Sequence, residues 1–208
     1  MSDRGNSIEN CRTSASEVTS GARQTHTAFL DRDGTINIKA PEGSYIRSWD
    51  GFHLLPGAAE AILKLNRAGV RVLVVTNQRG VALGQFTMAD VDTIHKRLQE
   101  ELKSIGAHVD GFYVCPHEKN ACDCRKPLTG LFRQAQQDFP EISGESSVMV
   151  GDSLSDVEFG KSAGMFTIYI KRDRANATRG SVAAEQIADF CCASLDGAVD
   201  LILEKQPK

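Results

Sequence analysis

The chain has 208 residues and a formal net charge of −3, and its apolar fraction of 41% and charged fraction of 25% are ordinary for a globular protein. A weakly acidic chain carries no overall basic field, so we expect no nucleic-acid partner. Its apolar runs fall short of the about 20 residues that cross a bilayer, and its N-terminus lacks a secretory apolar region, so we expect no membrane association and a cytoplasmic location.

The chain divides into a tail and one domain. Residues 1–25 are rich in Ser, Thr, Asn and Gly with scattered charges of both signs, which indicates a flexible tail. Residues 26–208 show no internal repeat and no sign of a second domain. We expect them to form a single domain, present as a monomer.

Strand and helix patterns alternate along this domain. Short apolar runs predict strands at 28–30, 70–75, 112–114, 148–150 and 166–170, and a late strand that ends at Cys191 and Cys192. Amphipathic or bounded segments predict helices at 58–68, 91–105, 128–139, 157–163 and 195–203, the second of them opened by Thr87 and Asp90. Alternation with short connections predicts an α/β fold, a doubly wound parallel sheet of Rossmann-like type with helices on both faces.

Two carboxylates, Asp31 and Asp33, follow the first predicted strand, and Gly34 permits a turn there. Carboxylates two residues apart can face one site at a strand exit, and oxygen ligands of this kind suit Mg²⁺. A polar turn with an acidic helix cap would show the same five residues. Taken alone, the pattern does not choose between the two interpretations.

Further polar residues follow the next three predicted strands. Thr76 and Asn77 offer groups to an anion, Lys126 offers a point charge, and Asp152 with Asp156 offers hard oxygen ligands. Each also has a structural interpretation, as a capping Thr, a solvated Lys or an acidic helix start. Because ligands gather at the carboxyl ends of parallel strands, the coincidence of all four favours one site for phosphate and metal.

The order DxDGT, TN, Lys and GDxxxD resembles the haloacid dehalogenase superfamily of aspartyl-phosphate phosphatases. The resemblance implies that Asp31 attacks phosphorus, and that Asp33 is the general acid–base if its site keeps it protonated at first. It implies a Mg²⁺ ion held by Asp31, the backbone carbonyl of Asp33, and Asp152. The residues that it places on the transferring phosphoryl group are Thr76, Asn77 and Lys126, with Asp156 supporting the metal or Lys126.

A compact Cys and His cluster follows the third predicted strand with the spacing C-x-H-x₄-C-x-C. Its members are Cys115, His117, Cys122 and Cys124. Soft ligands at this spacing suit a tetrahedral Zn²⁺, although unmetallated thiols remain the alternative. With no ligand position left for water, the zinc would be structural, and it would order the loop that carries Arg125 and Lys126.

The CPH…CxCRKP loop, together with Thr76-Asn77-Gln78, resembles the heptose-bisphosphate phosphatases over about residues 27–204, and the histidinol-phosphate phosphatases share the loop. The resemblance implies a small phosphorylated sugar as the substrate, with the C7 phosphate removed and Arg125 on the second phosphate. Arg suits a bidentate phosphate contact. A histidinol phosphatase, another small-molecule phosphatase and a non-catalytic zinc-stabilised binding module are the alternatives.

The connections after the first and third predicted strands are too short for a large cap domain, so we expect an open site. Loops 38–53 and 115–125 are the candidates for selecting the substrate. Trp49 and Tyr45 could stack on a ring there or could anchor the loop. We interpret His95 as a surface or cap residue.

Overall fold

The computed structural model describes residues 24–171 and 178–205, so nearly all of the predicted tail lies outside the described residues. Six parallel strands form one sheet in the order β3-β2-β1-β4-β5-β6. The strands are β1 (Thr27–Leu30), β2 (Arg71–Asn77), β3 (Gly111–Cys115), β4 (Ser147–Gly151), β5 (Phe166–Ile170) and β6 (Phe190–Cys192). This order and direction confirm the predicted doubly wound sheet.

Helices pack on both faces of the sheet. They are α1 (Ala58–Arg67), α2 (Met88–Ser104), α3 (Gly130–Asp138), α4 (Leu154–Ser162), α5 (Arg179–Ile187) and α6 (Leu195–Glu204). The central strand β1 has buried apolar side chains on both faces of the sheet. Ala28 and Leu30 pack in the core beneath α1, α2 and α6, whereas Phe29 packs with α3 and α4, and all three side chains are fully buried. Alternate residues of one strand therefore serve two cores.

Helices α4 and α5 differ most from the prediction, and α3 begins at Gly130, two residues after its predicted start. Helix α5 was not predicted, because its segment is rich in small residues and buries only Ala184. Helix α4 begins at Leu154, three residues before the predicted start. The reason is a capping box, in which the N–H and hydroxyl of Ser153 donate to the carboxylate of Asp156 at 3.0 and 2.6 Å. The predicted box of Thr87 and Asp90 is confirmed at the start of α2.

The carboxyl ends of β1 and β4 meet at the point where the strand order reverses. After β1, residues 31–57 contain a short 3₁₀ helix at Trp49–Gly51 and isolated β-bridges that involve Asn37. After β3, residues 116–129 contain no helix or strand. The described parts of both connections thus hold no large cap domain, as predicted. Among the described residues no helix has the length and apolar character needed to span a membrane.

Candidate active site

Three carboxylates converge at the reversal point of the sheet. Asp31 directly follows β1, and its N–H donates to the carbonyl of Val150 at 2.9 Å, which holds it beside β4. One oxygen from each of Asp31, Asp152 and Asp156 lies within 4.8 Å of the others. The fold thus places three acidic groups, from the ends of two neighbouring strands, within the reach of a single cation.

Lys126 is a buried cation beside this acidic cluster. Its Nζ lies 2.7 Å from Oδ1 of Asp31 and 2.6 Å from Oδ1 of Asp156, and it donates to the carbonyl of Val75 at 2.7 Å. Burial acts to lower the pKa of Lys126, but the charges of Asp156 and Asp31 outweigh burial and raise it. Lys126 therefore remains charged and is held in one position by three partners.

The acidic cluster is short of positive charge. Burial raises the pKa of Asp31 to about 7, and the charges of Asp156 and Asp152 add to this rise, while Lys126 opposes it. A hard divalent cation with a preference for oxygen ligands would offset this repulsion. The donor set at this end of the sheet thus fits Mg²⁺.

Asp33 is an acceptor for three neighbouring side chains. Its carboxylate receives hydrogen bonds from Arg32 at 2.9 and 3.1 Å, from Asn37 at 3.0 Å and from Gln78 at 2.7 Å. Burial acts to raise the pKa of Asp33, but the Arg32 charge and these hydrogen bonds outweigh it and hold the pKa below the usual value. In this arrangement Asp33 is ionised. A general acid must carry a proton, so Asp33 lacks the protonation that this role requires until a phosphate anion binds nearby.

The interpretation of His95 as a surface or cap residue is wrong. Its side chain is 5% exposed, and its ring stacks on Phe112 with centroids 4.3 Å apart. Its Nε2 lies 3.4 Å from Nη1 of Arg32, and burial, aided by the Arg32 charge, lowers its pKa to about 3. The signal was present in the sequence, because His95 continues the buried stripe of Val91, Leu98 and Leu102 on α2.

The low pKa of His95 predicts that the free energy of unfolding decreases as the pH is lowered. Unfolding restores a pKa near 6.5, so protons favour the unfolded chain once the pH drops below that value. Between pH 7 and pH 5 this histidine should remove about 2 kcal/mol from the free energy of unfolding. Urea unfolding at both pH values should show a loss smaller by that amount in His95→Gln. Equal losses in the two proteins would contradict the prediction.

Thr76 and Asn77 line the same cleft from the end of β2. The hydroxyl of Thr76 accepts a hydrogen bond from Gln78 at 2.8 Å. The amide of Asn77 exchanges two hydrogen bonds with the backbone of Lys126, at 3.0 and 3.1 Å. Asn77 thereby positions the chain at Lys126, and Gln78, which we did not predict as a site residue, links Thr76 to Asp33.

The cleft has a volume of about 210 Å³ and is open to solvent. Arg125 lines it, with Nη1 3.4 Å from the carbonyl of His117. Lys39 also lines it, and its Nζ lies 3.1 Å from both carboxylate oxygens of Asp152. Lys39 was missed because it lies in an irregular loop with no periodic pattern.

The two aromatic residues proposed for ring stacking do not line the cleft. Trp49 stacks on Phe52 with centroids 5.2 Å apart, and Tyr45 packs against Phe86 with centroids 5.9 Å apart. Both residues therefore anchor their loop, which is the alternative that the sequence had left open.

The four Cys and His ligand atoms lie together at the end of β3, of which Cys115 is the last residue. Sγ of Cys122 is 3.6 Å from that of Cys115 and 3.3 Å from that of Cys124, and Nδ1 of His117 is 3.2 Å from Sγ of Cys124. A tetrahedral zinc with Zn–S bonds of about 2.3 Å needs ligand separations of about 3.5–3.8 Å, close to these values. The short connection closes because Asn120 adopts a left-handed φ of 62°. The cluster thus fits Zn²⁺.

Residues 8–164 match the family model described as haloacid dehalogenase-like hydrolase. A curated relative from Mycobacterium bovis, D-glycero-alpha-D-manno-heptose-1,7-bisphosphate 7-phosphatase, is 47% identical over 131 residues, which cover 62% of this chain and 68% of the relative. One from Escherichia coli O6:H1, the corresponding beta-heptose phosphatase, is 34% identical over 193 residues, covering 89% and 98%.

Solved structures of heptose-bisphosphate phosphatases also resemble this chain. The D,D-heptose 1,7-bisphosphate phosphatase of B. bronchiseptica, complexed with magnesium and phosphate, superposes with a TM-score of 0.74 at 28% identity, covering 87% of this chain and 99% of that one. The enzyme of the same name from Burkholderia thailandensis gives 0.62 at 27% identity, covering 86% and 99%. The chain belongs to the haloacid dehalogenase-like hydrolases, and within that family it is related to the heptose-bisphosphate phosphatases.

Proposed function

We propose that this chain is a Mg²⁺-dependent phosphatase that removes the C7 phosphate of D-glycero-D-manno-heptose 1,7-bisphosphate. The observation that carries the proposal is the cluster of Asp31, Asp152 and Lys126 in an open cleft, in a chain whose relatives are named for this reaction. Relatives of both anomer specificities match the chain, so the proposal covers the alpha and the beta sugar.

In this proposal Asp31 is the nucleophile. An oxygen of its carboxylate bonds to phosphorus as the bond from phosphorus to the C7 oxygen breaks, which yields an aspartyl-phosphate. Lys126 offsets the repulsion between the carboxylate and the phosphate dianion, because it remains charged beside Asp31. Mg²⁺, held by Asp31, the backbone carbonyl of Asp33, and Asp152, would supply further charge stabilisation.

Asp33 moves the proton. It donates a proton to the departing C7 alkoxide and then takes one from the water that attacks phosphorus. The bond from phosphorus to the Asp31 oxygen breaks in this second step, which releases inorganic phosphate and restores the Asp31 carboxylate. Asp33 gains this proton when the substrate binds, since a phosphate dianion nearby raises the pKa of a carboxyl group. Hydrogen bonds from Asn37 and Gln78 orient Asp33 for both transfers.

The remaining cleft residues hold the substrate. Thr76, Asn77 and Lys126 bind the transferring phosphoryl group, and Arg125 binds the phosphate at C1. Arg125 suits this role because it lines the same cleft directly beside Lys126. The Cys and His cluster would hold a structural Zn²⁺, which would order the loop that carries both cations. We also propose a monomeric, single-domain enzyme of the cytoplasm.

The test is a panel of phosphate-release assays with and without Mg²⁺. We expect the highest kcat/KM for heptose 1,7-bisphosphate, with the alpha and beta anomers assayed separately, and rates at least about tenfold lower for heptose 7-phosphate, which lacks the partner of Arg125. Histidinol phosphate is the competing substrate. Faster turnover of histidinol phosphate than of either bisphosphate would assign the chain to that alternative, and no Mg²⁺-dependent release from any substrate would overturn the proposal.

A further inference from the structure

We propose that Lys39 is a built-in counter-cation of the metal site, which occupies Asp152 until a divalent ion displaces it and so sets the Mg²⁺ affinity of the protein. The inference rests on the proposed function, in which Asp31 and Asp152 hold the ion. It concerns a residue for which no sequence pattern indicated a role.

The contact is between distant parts of the chain. Nζ of Lys39 lies 3.1 Å from both oxygens of Asp152, a residue 113 positions further along the sequence. The Asp152 side chain is 4% exposed, whereas that of Lys39 is 48% exposed. A charged ammonium thus reaches from a surface loop onto a carboxylate that would ligate Mg²⁺.

The two lysines of the cleft differ in what holds them. Lys126 is 2% exposed and contacts Asp31, Asp156 and the carbonyl of Val75, so a change in its position would break several buried contacts. Lys39 has half of its side chain in solvent and faces Asp152 at the cleft edge. Lys39 is therefore the cation that an arriving ion can displace at low cost.

The backbone beside Lys39 is fixed, so its displacement needs only a side-chain rotation. The N–H of Ile38 donates to the carbonyl of His53 at 2.8 Å, and the backbone N–H of Asn37 donates to the carbonyl of Arg32 at 3.1 Å. A dication at Asp152 would repel the ammonium at short range. Rotation about the four-carbon stem then carries Lys39 away without moving the loop, and the ion gains an oxygen of Asp152.

The experiment measures Mg²⁺ binding directly. Protein dialysed against Mg²⁺-free buffer, with its zinc retained, is titrated with MgCl₂ in a calorimeter without substrate. We expect Lys39→Met to bind Mg²⁺ about tenfold more tightly than the wild type, a change equal to about 1.4 kcal/mol. Lys39→Arg, which retains the charge, should stay within about threefold of the wild type.

Lys64→Met is the matched control. Lys64 is 41% exposed and pairs with Asp196 and Asp200 on α6, so the variant also loses one positive charge and an ion pair, but outside the cleft. Its Kd for Mg²⁺ should equal that of the wild type. An unchanged or weaker Kd in Lys39→Met would overturn the inference while leaving the proposed function standing. A wild type that binds no Mg²⁺ would instead remove the proposed metal site, and the inference with it.

Discussion

Asp31→Asn is expected to lower the rate of phosphate release at least about 10⁴-fold, equivalent to about 5 kcal/mol of transition-state stabilisation. An amide cannot form the bond to phosphorus, and it removes a negative ligand of the proposed metal site. The variant should fold normally. Asn has the shape of Asp, Lys126 keeps its ion pair with Asp156, and the change removes a buried carboxyl group whose pKa burial has raised.

The measurement pairs steady-state phosphate release with thermal unfolding. Asp92→Asn makes the same chemical change at an exposed residue of α2, and it should retain wild-type rates. The aspartyl-phosphate offers a second readout, because hydroxylamine should trap it in the wild type and in Asp92→Asn but not in Asp31→Asn. Turnover within tenfold of the wild type in Asp31→Asn would place the nucleophile elsewhere.

The architecture and the location of the site could be predicted because both depend on local patterns. A buried strand needs a continuous apolar run, and the chain becomes polar where that strand leaves the sheet. The residues after β1 and β4 are Asp31 and Asp152, and the parallel topology alone brings such positions to one edge. The positions of the strand ends are therefore enough to predict the acidic cluster from the sequence.

The partners of these residues could not be predicted, because they come from distant and irregular segments. Lys39 reaches Asp152 across 113 positions, and Lys126 reaches Asp31 across 95. Sequence does not show that the amide of Asn77 is occupied by the Lys126 backbone, nor that Arg32 holds Asp33 ionised. Such contacts depend on side-chain direction in loops, which no period of 2 or 3.6 residues encodes.

The double substitution of Cys122 and Cys124 by Ser should abolish binding of the proposed zinc ion and disable the enzyme. We expect elemental analysis to fall from about one equivalent per chain to nearly none, because the hydroxyl of Ser is a poor ligand for zinc. Arg125 and Lys126 directly follow Cys124, so loss of the metal frees the segment that positions both cations. Misplacement of such groups by about 1 Å costs on the order of 10²-fold in rate, and we expect kcat/KM to fall by at least that factor.

Cys192→Ser is the matched control for this variant. Cys192 is a buried free thiol at the end of β6, and its Sγ lies 3.3 Å from the carbonyl of Ser194. The same change from sulfur to oxygen there should leave the zinc content and kcat/KM as in the wild type.

In the double variant, the loss of kcat/KM should depend on the substrate. The hydrogen bonds between Asn77 and Lys126 do not involve the metal, so kcat/KM should fall more for the bisphosphate, which needs Arg125, than for a monophosphate. Full zinc content in the double variant would refute the ligand assignment, and wild-type kcat/KM without zinc would show that the loop holds its cations unaided.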